Sequence, residues 1–154
     1  MSNILKALEK MKKLLVLMLV MIAASVSAEM YADRVINQSE LPEAAQTFIG
    51  RYFAADKVIK VEQDYGKRGA EYEVDFASGA EVEFRGKGEW HQVKAPRGGE
   101  VPAGIVPEAV AKYVSANFAT QRIVEIERKR GGYEIELSNG TELRLTAEGQ
   151  PLAR

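Results

Sequence analysis

The chain has 154 residues, with 21 lysines and arginines, 22 aspartates and glutamates and no cysteine, for a formal net charge of −1 at pH 7. This length suits one domain or two very small ones. The charge balance argues against nucleic acid as a partner, and the absence of cysteine excludes disulfides, so stability must come from the core.

Residues 1–28 have the pattern of a secretory signal peptide. A short basic region at Met11–Lys13 precedes an unbroken apolar run over residues 14–24. That run is much shorter than the roughly 20 residues that a membrane-spanning helix needs. Residues 26–28 then suit signal peptidase, which predicts cleavage between Ala28 and Glu29. We therefore expect a periplasmic or secreted protein that leaves the membrane after cleavage. Either Met1 or Met11 could be the start.

Two copies of one pattern follow. Residues 41–53 match residues 106–118, and both segments begin with an apolar residue, proline, glutamate and alanine. The match continues through strand-like segments, and a four-residue contraction falls near Gly131. The sequence thus predicts four parts of the mature chain: an N-terminal extension at 29–38, a first repeat at 39–94, a linker at 95–104 and a second repeat at 105–154.

Each repeat begins with a predicted helix. Pro42 and Pro107 suit the first helical turn, where a missing N–H costs nothing. Apolar residues then recur at helical spacing and form one stripe on each helix. The stripes are Leu41, Ala45, Phe48, Ile49, Tyr52 and Phe53 in the first helix, and Val110, Tyr113, Val114 and Phe118 in the second.

Strands follow each helix. Apolar and charged residues alternate strictly around Val74 and Val82, which is typical of strands with one buried and one solvated face. Ser78-Gly79 and Asn139-Gly140 lie between such strands, where they favour hairpins. A shorter fourth strand is predicted near residues 90–93 and again near 150–153. The expected fold class is α+β: two tandem helix-plus-antiparallel-strand repeats that form a sheet with both helices on one face.

The outward face of this sheet is strongly acidic. The sequence pattern places four basic residues there, Lys60, Arg85, Lys129 and Arg144. It also places twelve acidic residues there: Glu62, Asp64, Glu71, Glu73, Asp75, Glu81, Glu83, Glu125, Glu127, Glu134, Glu136 and Glu142. One interpretation is a charged face that only keeps the protein soluble. The other is a binding platform for a basic protein patch, a polyamine or divalent cations.

Residues suited to catalysis are few. His91 is the only histidine, and no strained nucleophile turn or phosphate-binding glycine loop accompanies it. A zinc site is not expected with one histidine and no cysteine, and no calcium loop of the Asp-x-Asp-x-Asp-Gly kind occurs. We therefore expect a protein that is not an enzyme and has no cofactor and no dedicated metal site. Trp90 and His91 are an alternative contact site to the acidic face.

Short motifs of the first repeat resemble the PepSY-like family of exported bacterial proteins, which are also described as β-lactamase-inhibitor-like. They are Leu41-Pro42 before an aromatic helix, Tyr72-Glu73-Val74, Ser78-Gly79 and Gly88-Glu89-Trp90. The resemblance covers residues 39–153, with departures at Val106 and Gln150-Pro151. It implies helices on one face of an antiparallel sheet, as in β-lactamase inhibitory protein, whose open sheet face and loops hold an enzyme. No inhibitory-loop motif matches.

These observations favour an exported binding or inhibitor-like module that uses the open acidic sheet face. The expected ligand is a protein or peptide of unknown identity, basic in character. The alternative is a cell-envelope protein that binds cations or takes part in a stress response.

Export gives the first testable prediction. N-terminal sequencing of the secreted protein should begin at Glu29, because signal peptidase reads the small residues before that bond. A mature protein that keeps residues 14–24 in the membrane would contradict it.

Overall fold

The computed structural model describes residues 4–13, 33–66 and 68–153. The exposed helix α1 spans residues 4–13 and belongs to an N-terminal unit of its own, and a second compact unit begins at Arg34. The predicted cleavage site at Ala28 and Glu29 and the apolar run before it lie outside the described residues. No helix in the described ranges is long and apolar enough to cross a bilayer.

The second unit contains two helices and one sheet of eight strands. The helices are α2 (Glu43–Tyr52) and α3 (Glu108–Asn117), and a short 3-10 helix spans Gln38–Glu40. The strands are β1 (Arg34–Val35), β2 (Val58–Gly66), β3 (Gly69–Phe76), β4 (Glu81–Arg85), β5 (Glu89–Lys94), β6 (Ile123–Lys129), β7 (Gly132–Leu137) and β8 (Glu142–Leu145). Each strand pairs antiparallel with its neighbours in sequence, in the order β1 to β8. The predicted α+β fold is confirmed.

One band of side chains crosses the whole sheet beneath the helices. The register places seven apolar residues opposite one another from β2 to β8: Val61, Val74, Val82, Val93, Ile126, Ile135 and Leu143. The five central members are fully buried. Ala45 and Ile49 of α2 and Val110 and Val114 of α3 are buried in the same core. No polar or charged residue is buried in the described part of the chain.

Two glycine turns fit against the starts of the helices. Gly88, between β4 and β5, has φ of +99°, and a Cβ there would lie 2.7 Å from the Ala45 backbone nitrogen. Gly149, after β8, has φ of +75°, and its Cβ would lie 2.5 Å from the Ala109 carbonyl oxygen. Both distances are too short for any side chain, so these turns require glycine for close approach as well as for the left-handed conformation.

The two halves of the sheet are joined by pairing between β5 and β6. Three residue pairs align there, with Val93 opposite Ile126 at the centre. The Ala95 N–H donates to the Val124 carbonyl at 2.8 Å, and the Val101 N–H donates to the Ile123 carbonyl at the same distance. The proline- and glycine-containing segment after β5 therefore extends this contact before α3 begins.

Two segments differ from the expectation. The predicted N-terminal extension contributes β1, which pairs with Glu62 and Gln63 of β2. The fourth strand predicted at residues 150–153 is reduced to an isolated bridge between Leu145 and Pro151. Proline has no N–H to donate, which limits ladder formation at this position. The correspondence of the two halves as a sequence repeat stays a prediction.

Burial at the ends of the helices gives a stability prediction. Phe53 is 5% exposed and stacks on Phe76 with ring centroids 4.7 Å apart, whereas Phe118, at the matching place after α3, is only partly buried. We expect Phe53→Ala to lower the free energy of unfolding by about 3–5 kcal/mol and Phe118→Ala to cost clearly less. Urea titration measures both, and equal losses would contradict this ranking.

Candidate functional site: the acidic sheet face

The sheet face opposite the helices carries all twelve predicted acidic residues. They alternate along their strands with helix-side residues. Eleven of them are partly exposed, and Glu142 is exposed. The pairing register arranges most of them in two rows that run across the sheet. We call this surface the acidic sheet face.

The first row is continuous from β2 to β8. Its members, in order, are Glu62, Glu73, Glu83, Gln92, Glu127, Glu134 and Arg144. Glutamate therefore stands directly opposite glutamate at three of its six pairs. Like charges in such cross-strand pairs repel each other and destabilise a sheet.

The second row lies beside the first. Its members, in order, are Lys60, Asp75, Glu81, Lys94, Glu125, Glu136 and Glu142. Like-charge pairs occur here between Asp75 and Glu81 and along Glu125, Glu136 and Glu142. Asp64 and Glu71 are opposed nearer the ends of β2 and β3.

Basic side chains compensate only part of this charge. Lys94 Nζ lies 2.7 Å from Glu81, and Arg85 Nε lies 3.1 Å from Glu71. Three further pairs join Lys60 to Glu62, Lys129 to Glu127 and Arg144 to Glu134. Within the described ranges, six of the twelve carboxylates have neither an ion pair nor a side-chain hydrogen-bond donor from another residue: Asp64, Glu73, Asp75, Glu83, Glu136 and Glu142.

Three carboxylates converge in the first half of the face. One oxygen each from Glu73, Glu81 and Glu83 can be chosen so that all three lie within 4.8 Å of one another. Burial raises the pKa of Glu73, and the charges of Glu81, Asp75 and Glu62 add to the rise. Burial and Glu81 likewise raise the pKa of Glu83. The cluster therefore holds its negative charge at a cost that a bound cation would relieve.

The second half has a shallow depression lined by Glu125, Glu127, Glu134, Glu136 and Glu142. Burial raises the pKa of Glu125, against the opposing effects of Lys94 and of a hydrogen bond from Gln92. The negative potential thus extends across both halves of the sheet and is not confined to one cluster.

Trp90 and His91, predicted as one alternative contact site, lie on opposite faces of the sheet. A β-bulge in β5 sets Phe84 opposite Trp90 and Glu83 opposite Gln92, which leaves His91 unpaired between them. His91 Nε2 hydrogen-bonds Glu127 Oε1 at 3.1 Å on the acidic sheet face. Burial and the charge of Arg85 lower the pKa of His91, so this contact forms with a neutral imidazole at pH 7. Trp90 packs on the helix side, with its ring 6.3 Å from that of Phe48.

Gln92 and Lys94 complete the two rows in the middle of the sheet and were not predicted from the sequence. The bulge hides them, because it shifts the alternation of β5 by one residue after Trp90. Arg128 was not predicted either. It is exposed on the helix side of β6, with its guanidinium carbon 3.9 Å from the Trp90 ring centroid. The sequence pattern that could have identified Arg128 is a basic residue at a position of β6 where the alternation predicts an apolar one.

A family profile described as "Putative beta-lactamase-inhibitor-like, PepSY-like" matches residues 70–152, more than half of the chain. The chain belongs to the PepSY-like family. The matched region runs from β3 to the C-terminal bridge, so it includes ten of the twelve acidic residues.

Solved structures of similar proteins agree with this membership. A "putative calcium-regulated periplasmic protein" from Bacteroides thetaiotaomicron is 35% identical, with a TM-score of 0.73 over 79% of this chain and 94% of that one. A "putative periplasmic protein of unknown function" from Bacteroides vulgatus is also 35% identical, with a TM-score of 0.74 over 79% of this chain and 98% of that one. Neither description names an enzymatic activity. Among curated proteins, none matches the chain significantly.

The raised pKa values of Glu73 and Glu83 give a prediction with a defined sign. The folded protein binds these protons more tightly than the unfolded chain does. Burial and repulsion of the ionised carboxylates therefore lower the free energy of unfolding above the folded-state pKa. This loss is relieved as the pH falls toward the usual glutamate pKa. The double variant Glu73→Gln, Glu83→Gln should therefore be more stable than wild type at pH 8, and this gain should be smaller near pH 5.

Denaturant titration at both pH values measures the gain. Glu148→Gln is a suitable control, because it removes an exposed carboxylate from a turn away from the acidic sheet face. A gain for the double variant that is the same at both pH values, or larger near pH 5, would contradict the prediction.

Proposed function

We propose that this chain is an exported periplasmic binding protein, not an enzyme, that holds a basic patch of a protein or peptide on its acidic sheet face. The observation that carries the proposal is the pair of carboxylate rows that crosses the sheet from β2 to β8. Within the described ranges, six of the twelve carboxylates have no ion pair and accept no hydrogen bond from another side chain, so their charge is available to a partner.

The size of the face favours an extended partner. Eight strands at about 4.8 Å spacing give a width of roughly 34 Å. Neither α2 nor α3 covers this side, because both pack on the opposite face. A surface of this width matches a protein interface better than a site for one ion. Its complementary charge would chiefly accelerate association and select basic partners.

Localisation rests on two observations. The N-terminal residues have the signal-peptide pattern, and the similar structures from Bacteroides are described as periplasmic proteins. The absence of an enzymatic function rests on the sequence, which offers one histidine and no cysteine, and on His91, whose described contact is with a carboxylate and not with a nucleophile.

The test is a binding comparison at two salt concentrations. A partner recovered from periplasmic extract with wild-type protein should bind the variant Glu73→Gln, Asp75→Asn, Glu83→Gln, Glu134→Gln at least tenfold more weakly at low salt. Association should slow more than dissociation accelerates. The difference should shrink at high salt, because exposed charges are screened beyond about 8 Å even at physiological ionic strength.

A charge-matched control separates the face from net charge. Four exposed carboxylates away from the sheet can be replaced by glutamine in a second variant: Glu43, Glu100, Glu108 and Glu148. This variant should bind as wild type does. Equal affinity of wild type and the face variant at both salt concentrations would contradict the proposal. The carboxylates would then serve only as a solvated surface.

A second candidate function is divalent cation binding, and the Glu73, Glu81 and Glu83 cluster favours it. Their converging oxygens suit Ca²⁺, which takes several carboxylate ligands in flexible geometry. One similar structure is described as calcium-regulated. A cation here would offset the burial and the repulsion that raise the pKa of Glu73 and Glu83.

Calorimetric titration of metal-free protein with Ca²⁺ tests this second function. Saturable binding with a Kd of about 10⁻⁴–10⁻³ M is typical of extracellular modules, and it should raise the melting temperature by mass action. Glu83→Gln should abolish both effects and Glu142→Gln should not, since Glu142 is outside the cluster. A melting temperature independent of Ca²⁺ would exclude a role for the cluster in binding it.

A further inference from the structure

A groove of about 360 Å³ lies on the helix side of the sheet, opposite the acidic sheet face. Four aromatic rings line it, Phe48 and Tyr52 from α2, Trp90 from β5 and Tyr133 from β7, together with Arg51 and Arg128. No acidic residue is among the described lining residues. This volume falls in the range of small-molecule sites, which are mostly apolar with a few oriented polar groups.

The four aromatic rings of the groove are held in place by packing against one another and by one hydrogen bond. The rings of Trp90 and Tyr133 stack with their centroids 6.3 Å apart, and the ring centroids of Phe48 and Tyr52 are 4.8 Å apart. The Tyr52 hydroxyl donates to the Gly104 carbonyl at 3.1 Å, and a Cβ at Gly104 would come within 2.9 Å of the Tyr52 ring. The groove is therefore formed before any ligand arrives, because its rings already have fixed neighbours.

Both arginines are positioned by aromatic rings. The guanidinium carbon of Arg128 is 3.9 Å from the Trp90 ring centroid, and that of Arg51 is 5.2 Å from the Tyr52 ring centroid. Stacking uses the face of a guanidinium and leaves its N–H edge free to donate two parallel hydrogen bonds to a carboxylate or sulfonate. Neither arginine forms an ion pair with any other residue of the described ranges.

Arg128 also departs from the pattern of its strand. It follows Ile126 by two positions on the helix side of β6, where the alternation calls for another apolar residue. A charge at such a position, without a carboxylate partner in the groove, departs from the alternation of apolar and polar residues along the strand. Departures of this kind concentrate at functional sites.

We propose that this groove binds a small organic anion with a flat apolar ring system, such as an aromatic carboxylate or sulfonate. The rings of Trp90 and Tyr133 would contact its apolar part, and Arg51 and Arg128 would hold its acidic group. The proposal is independent of the acidic sheet face, since the two surfaces lie on opposite sides of the sheet and carry opposite charge.

The chain contains one tryptophan, so Trp90 is the single energy donor, and the arginine variants tell whether the dye binds in the groove. The probe is 1-anilinonaphthalene-8-sulfonate, a naphthalene ring with one sulfonate, and binding is read from energy transfer between Trp90 and the dye. We expect saturable binding to wild type, with a Kd about tenfold higher for Arg51→Gln and for Arg128→Gln, since each loses a charged hydrogen-bond donor.

Two controls distinguish recognition by the two arginines from an effect of net charge and from unspecific apolar binding. Arg122→Gln removes an exposed positive charge outside the groove and should bind the dye as wild type does. The uncharged analogue N-phenyl-1-naphthylamine should bind more weakly than the sulfonate and should not respond to either arginine substitution. Circular dichroism confirms that each variant is folded, and Arg51→Gln, an exposed helix substitution, remains decisive if Arg128→Gln unfolds.

Three results would overturn the proposal. One is the absence of saturable dye binding to wild type. Another is equal affinity for the charged and uncharged dyes, which would indicate an unspecific apolar surface. The third is a Kd that changes with neither or only one of the folded arginine variants, which would exclude recognition by two guanidinium groups.

Discussion

Burial of alternate side chains beneath α2 and α3 is the interaction on which the other features of this molecule depend. The band from Val61 to Leu143 fixes the register of seven strands at once, since a slip of one residue would place carboxylates under the helices. The same alternation then assigns every intervening residue to the other face. The acidic sheet face is thus as firmly positioned as the core.

This placement of the carboxylates has a free-energy cost, which the rest of the fold must offset. Glutamates stand directly opposite glutamates, and those at positions 73, 83 and 125 have raised pKa values because burial removes water from them. Basic residues relieve the repulsion at several points without removing it. Such a surface agrees with the proposed binding of cationic groups, because a partner would supply the missing positive charge.

Much of the fold could be predicted from periodicity, because helices and half-buried strands have different repeats. The helices after Pro42 and Pro107, the hairpin at Ser78-Gly79 and the outward position of the acidic residues all follow from local pattern. Pairing of β5 with β6 could not be deduced, since it joins segments separated by a linker and a helix. The bulge at His91 was equally hidden, and it moved Gln92 and Lys94 onto the acidic sheet face and separated His91 from Trp90.

The strand order has a consequence for how the chain acquires its structure. Each of the strands β3, β4, β5, β7 and β8 pairs with the preceding strand, to which a short turn joins it, whereas α2 separates β2 from β1. Low sequence separation between contacts favours rapid folding. The hairpins from β2 to β5 and from β6 to β8 can therefore form from local contacts, and the pairings of β1 with β2 and of β5 with β6 remain as the longer-range steps. A protein built without disulfides can complete this process without an oxidant or a disulfide isomerase.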